Sequence, residues 1–117
     1  LKTEIRKWKK LVGASSLESF VAEKFGNNAF KVKRSVYPPG ARHTGSMIAG
    51  QCFVSRGAVR YTFDADQENV LINAGEYALF PEGGYWFDVD GGEEVEFFLI
   101  WEIPIKYRQK VQGGISP

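Results

Sequence analysis

An all-β fold, an antiparallel sandwich or barrel of seven or eight short strands, is predicted by three features of the sequence. From Ala29 onward apolar and polar residues alternate at period two. Glycine and proline turns interrupt that alternation at short intervals. No helical periodicity falls between the turns, so the strand–helix alternation of a parallel sheet is absent. The predicted helix precedes the strands.

The elements follow in order. Ser15 and Glu18 match the S-x-x-E capping pattern, in which each side chain satisfies a backbone N–H at a helix start. Leu17, Phe20, Val21 and Phe25 then share one helical face, and Gly26-Asn27-Asn28 reads as a left-handed stop. The helix is predicted over 16–25. Phe30, Val32 and Val36 alternate with Lys31, Lys33 and Ser35 as far as the turn Pro38-Pro39-Gly40. Strands are predicted from Ile48 to Ser55, through Val59, Tyr61 and Phe63, at Val70–Ile72, at Tyr77–Phe80 and at Tyr85–Val89. In the last strand Val95, Phe97, Leu99, Trp101 and Ile103 share one face, with Phe98 and Ile100 on the other. A strand apolar on both faces needs cover on both. The helix or a second subunit is therefore expected on the outer sheet, with a homodimer favoured.

At 117 residues the chain is long enough for one domain. Three segments are expected: a basic arm and helix over 1–28 packed on the barrel, the barrel over 29–105, and a basic tail over 106–117. The net charge of +1 conceals an asymmetry. Residues 1–42 carry ten Lys/Arg against three Asp/Glu, and residues 43–105 carry two against eleven. The basic segments are expected to lie against the acidic body or a dimer mate. The arm has one aromatic, Trp8, and no nucleic-acid motif, so no nucleic-acid partner is expected. No apolar run approaches the ~20 residues of a membrane-spanning helix, so no membrane partner is expected either. Cys52 is alone and can form no internal disulfide, which favours a reducing compartment and a cytoplasmic location.

The stretch GEYALFPEGGYWFDVD, residues 75–90, carries a family resemblance. Gly75, Pro81 and Gly83 match the motif G-x5-P-x-G-x2-H-x3-N of the cupins, with Trp86 and Asp90 in place of its His and Asn. Counting back from Gly57, the motif H-x-H-x3–4-E-x6-G is met by His43, Gly45 and Gly50, and Tyr37 stands where a preceding glycine is expected. Over about residues 36–104 the chain resembles a small single-domain cupin with degenerate metal motifs. That resemblance implies a double-stranded β-helix, or jelly-roll, barrel with a short N-terminal helix. It also implies that the positions which hold a metal in the family are His43, Gly45, Gly50 and Trp86. His43 with Cys52 makes two ligands where about three are needed, so neither metal nor cofactor is expected.

The lumen is the expected site. Gly45 and Gly50 vacate volume and Trp86 supplies it, as a plug or as an aromatic wall; the wall is the expectation. By alternation with Gly45, His43 should enter the lumen near its mouth, where an imidazole can act as general base. Tyr61 or Tyr85 would be the acid, while Trp86, Cys52, Gly45, Gly50, Trp101 and Arg42 would contact the ligand. No Lys or Arg is expected to face the lumen for a diphosphate, which leaves Arg34 and Arg42 near a mouth. Metal-free cupins include dehydratases, isomerases and epimerases of sugars. The resemblance therefore implies a metal-independent binder of a sugar, nucleoside or small carbonyl compound in the barrel lumen. Proton-transfer catalysis with His43 as general base, as a lyase or isomerase, is its catalytic form. A non-catalytic sensor module and a dimerisation domain are the alternatives.

Overall fold

The structure, a computed structural model, describes residues 3–107. Its strands are β1 (Ile5–Lys7), β2 (Phe30–Tyr37), β3 (Arg42–Met47), β4 (Gly50–Arg56), β5 (Ala58–Phe63), β6 (Asn69–Asn73), β7 (Glu76–Phe80), β8 (Gly83–Asp90) and β9 (Val95–Glu102). Two helices, α1 (Lys9–Val12) and α2 (Leu17–Phe25), lie between β1 and β2. All pairings are antiparallel, in sheets ordered β1-β7-β4-β9-β2 and β3-β8-β5-β6. The predicted jelly roll is present. Two strands were missed: β1, too short and too exposed to show alternation, and β3, whose polar stretch RHTGSM carries no apolar rhythm.

Period two sorts the side chains. Val59, Tyr61 and Phe63 of β5 enter the space between the sheets, as do Cys52 and Val54 of β4 and Val95, Phe97 and Leu99 of β9. Burying each such apolar side chain contributes about 1.5–3 kcal/mol. Strand β9 is apolar on both faces, as predicted, and α2 provides the second cover. Leu17, Val21 and Phe25 lie over Phe53, Tyr77, Phe98 and Ile100 on the outside of the five-stranded sheet. The outer sheet therefore receives its cover within the chain.

The helix ends differ from expectation. Ser16 caps α2, with its hydroxyl accepting from the Ser19 N–H at 3.1 Å, so the Ser15–Glu18 box does not form. Helical geometry begins at Leu17, and the cap is the extended residue immediately before it. Gly26 is not left-handed, with φ −84°. A Cβ there would strike the Ala22 carbonyl, which accepts the Gly26 N–H at 3.0 Å. At the β4–β5 corner Gly57 does have positive φ, 75°, and a Cβ would come within 2.5 Å of the Glu94 carbonyl oxygen. Only glycine fits that corner without strain. Arg108 and Lys110 of the predicted basic tail lie outside the described residues.

Candidate ligand-binding cleft at one end of the barrel

Register decides which residues face inward. Between β3 and β8 the pairs are His43 with Phe87, Thr44 with Trp86, and Gly45 with Tyr85. Directly paired residues point to the same side of a sheet. Phe87 is in the core, so His43 and Tyr85 share the inner face while Trp86 stands on the outer one. There the Arg42 guanidinium stacks over the Trp86 ring at 4.7 Å and reaches Asp88 at 3.3 Å. The expectation that Trp86 and Arg42 contact a lumen ligand is corrected. Motif spacing from Gly83 put the indole inside, but strand alternation governs. The sequence carried the signal, since Tyr85, Phe87 and Val89 alternate with Trp86, Asp88 and Asp90.

Tyr85 fills the volume that Gly45 vacates. A Cβ at Gly45 would meet the Tyr85 hydroxyl at 2.8 Å. At Gly50 it would meet the Ile100 carbonyl oxygen at 2.5 Å and Met47 Cε at 2.6 Å. Neither glycine opens a floor. Deeper in, Tyr61 sits 4.6 Å from Phe80, 5.1 Å from Phe87 and 5.3 Å from Tyr85, ring centre to ring centre. The middle of the barrel is a packed aromatic core.

That packing separates the expected catalytic residues. The Tyr61 hydroxyl is sealed from solvent and has no hydrogen-bond partner of normal geometry among the described residues. Its polar neighbour is the Cys52 thiol, a weak one. Burial pushes the proton affinity of both groups up, that of Tyr61 well above its ordinary value. A sealed phenol cannot pass its proton to a ligand. His43 is exposed near the β2–β3 turn, 4.6 Å from Tyr37 and 5.6 Å from Phe87 between ring centres. Phe87 thus contacts both His43 and Tyr61. His43, Tyr61 and Tyr85 do not converge on one open space.

The open space is at the other end. Strands β3 and β8 bring Met47 and Gly83 together there, and β4, β7 and β9 bring Gly50, Phe80 and Trp101. A cleft of about 260 Å³ is lined by Lys33, Ser46, Met47, Ile48, Tyr85, Leu99 and Trp101. Tyr85 is half-buried, and burial raises its pKa. Of the expected site residues, Tyr85 and Trp101 line this cleft, and Gly45 and Gly50 lie directly behind it. Cys52 is deeper, fully buried.

Lys33 was missed. The apolar members of the β2 alternation do not mark its inward face: Phe30 and Val32 pack with α2 on the outside. The inward residues are the alternate set, with Lys33 paired to Leu99 and Ser35 to Phe97. The signal was Tyr37, which has the same parity and packs on the core. A lumen-facing cation therefore exists at the barrel end. Among the described residues, no three His, Cys, Asp or Glu side chains gather into a metal-binding group.

Compared with known proteins, the chain matches no protein-family profile and no curated sequence. Its likeness is to solved structures. A cupin protein with a double-stranded β-helix fold from Methanocaldococcus jannaschii superposes with a TM-score of 0.58 at 17% identity, over 74% of this chain and 78% of that one. The cupin domain of an XRE-family transcriptional regulator from Enterobacter cloacae gives 0.57 at 12% identity, over 89% and 99%. A DUF861 family protein from Thermotoga maritima gives 0.55 at 17% identity, over 87% and 100%. The chain has the cupin double-stranded β-helix fold. Among its described residues no helix is long and apolar enough to cross a membrane.

Proposed function

We propose that this cupin is a binding module that holds a small anion with a flat apolar body in the cleft beside Tyr85. The observation that carries this reading is the cleft's chemistry. Lys33 is the one charged residue on a wall otherwise built from Met47, Leu99, Tyr85, Trp101, Ile48 and Ser46. Lys33 forms no ion pair among the described residues, so its ammonium is free for a ligand. At roughly 30 Å³ per water, the volume holds about nine waters and suits one ring with an acidic substituent. Apolar walls with a few placed polar groups are the usual make-up of such sites.

The catalytic form of the reading, proton transfer by His43, has less support. The imidazole stands on Tyr37 and Phe87, away from the cleft, and Tyr61 is sealed. Calorimetric titration with phenylacetate and with 2-phenylethanol tests the binding reading. Phenylacetate should bind more tightly than the alcohol, and Lys33→Gln should weaken it about three- to tenfold. Equal binding of both compounds, or no effect of Lys33→Gln, would remove the reading.

A further inference from the structure

The same end of the barrel carries a second, larger opening, of about 510 Å³, on the far side of Phe80 and Gly84. It lies between β1 and the β5–β6 and β7–β8 turns. Its apolar surface comes from Leu79, Pro81 and the edges of Phe63 and Phe80. Leu79, next to the end of β7 and beyond its pairing with β1, is 56% exposed and forms part of the wall. Another part of the lining is tied in place. Thr3 donates its N–H and its hydroxyl to the Glu68 carboxylate, at 2.5 and 2.8 Å, and so ties β1 to the β5–β6 turn.

The charge around this opening is mostly negative. Among the described residues, Glu4, Asp66, Glu68 and Glu82 line it against a single cation, Arg6. Arg6 is already paired with Glu4 at 2.9 Å, and Glu68 is engaged by Thr3. Asp66 and Glu82 have no cationic partner among the described residues. Asp64 adds a third carboxylate beside them, because it occupies the space where a side chain at Gly84 would stand. Carboxylates over an apolar floor attract a cation and leave a neutral or anionic molecule without a partner.

We infer that this opening is a second ligand site, for an organic ammonium ion with an apolar tail: the ammonium lies between Asp66 and Glu82, and the tail lies along Leu79, Pro81 and the edges of Phe63 and Phe80. The two clefts of one barrel end thus select opposite charges, Lys33 in one and the acidic turns in the other. This assignment does not depend on the anion reading of the Lys33 cleft.

The full chain is titrated with phenethylammonium, 2-phenylethanol and phenylacetate, while the Leu79 methyl and Phe63 ring resonances are followed by NMR. Phenethylammonium should shift both sets and bind about tenfold tighter than the alcohol. Asp66→Asn and Glu82→Gln, both exposed turn positions, should each weaken it about three- to fivefold while the melting temperature holds. Lys33→Gln should leave it unchanged. The site is overturned if the alcohol binds as tightly, if the two carboxylate variants change nothing, or if the ammonium ion shifts Trp101 in place of Leu79.

Discussion

The Tyr85 phenol stands over Gly45, its paired residue on the neighbouring strand, so closely that a methyl group at position 45 would lie 2.8 Å from the Tyr85 hydroxyl. The glycine and the tyrosine form one packing unit. Gly45→Ala or Gly45→Val should force Tyr85 out of its rotamer toward the Lys33 cleft, at a cost of about 1–3 kcal/mol. Denaturant unfolding measures the loss, and ligand titration should show the cleft narrowed.

Tyr61→Phe removes a sealed hydroxyl that has no normal hydrogen-bond partner. Deleting an unsatisfied polar group from a core restores part of its desolvation cost, so the variant should be as stable as the parent or up to about 1 kcal/mol more stable. A loss of several kcal/mol in denaturant unfolding would show that the hydroxyl has a partner.

Burial raises the folded-state pKa of both Cys52 and Tyr61 above their ordinary values of 9.0 and 10.0. The folded chain therefore keeps protons that the unfolded chain releases first. The associated stability is complete below about pH 9 and falls as pH rises through the unfolded values. Thermal melts from pH 7 to 11 should show a steepening decline, reduced in a Cys52→Ala, Tyr61→Phe double variant. Native Cys52 should also resist thiol reagents at pH 8 and react once the chain is unfolded.

Glu96 titrates with the opposite sign. The Ser55 hydroxyl donates to its carboxylate at 2.6 Å and Arg34 pairs with it, which holds its pKa below the ordinary 4.5. Its contribution is present above that value and is lost as pH falls below it. Ser55→Ala should weaken acid resistance between about pH 5 and 3, visible in melts over that range.

The architecture was legible because it rests on patterns that local chemistry imposes. Alternation in β5 and β9, the apolar stripe of α2 and the Gly57 corner each specify one face or one turn. The site was harder to read, since one residue of register reverses every side chain. Trp86 was placed by motif counting, and the count ran against the alternation of its own strand. Lys33 was hidden because Phe30 and Val32 are apolar for the sake of α2, a tertiary contact that strand periodicity cannot distinguish from the core. Tyr85 and Trp101, singled out from the sequence, line the Lys33 cleft with Gly45 and Gly50 behind them, although it is Tyr85 and not Trp86 that fills the vacated space.

The most direct test uses the chain's three indoles, Trp8, Trp86 and Trp101, as separate reporters in one spectrum. Trp8 donates its indole N–H to the Val54 carbonyl at 2.8 Å, Trp86 lies on the outer sheet face under Arg42, and Trp101 lines the Lys33 cleft. With indole-labelled protein, a phenylacetate titration should shift the Trp101 N–H resonance in a saturable way and leave Trp8 and Trp86 in place. Saturable movement of Trp86 with Trp101 unmoved would contradict the account, because it would put the ligand on the face that the β3–β8 register turns away from the barrel.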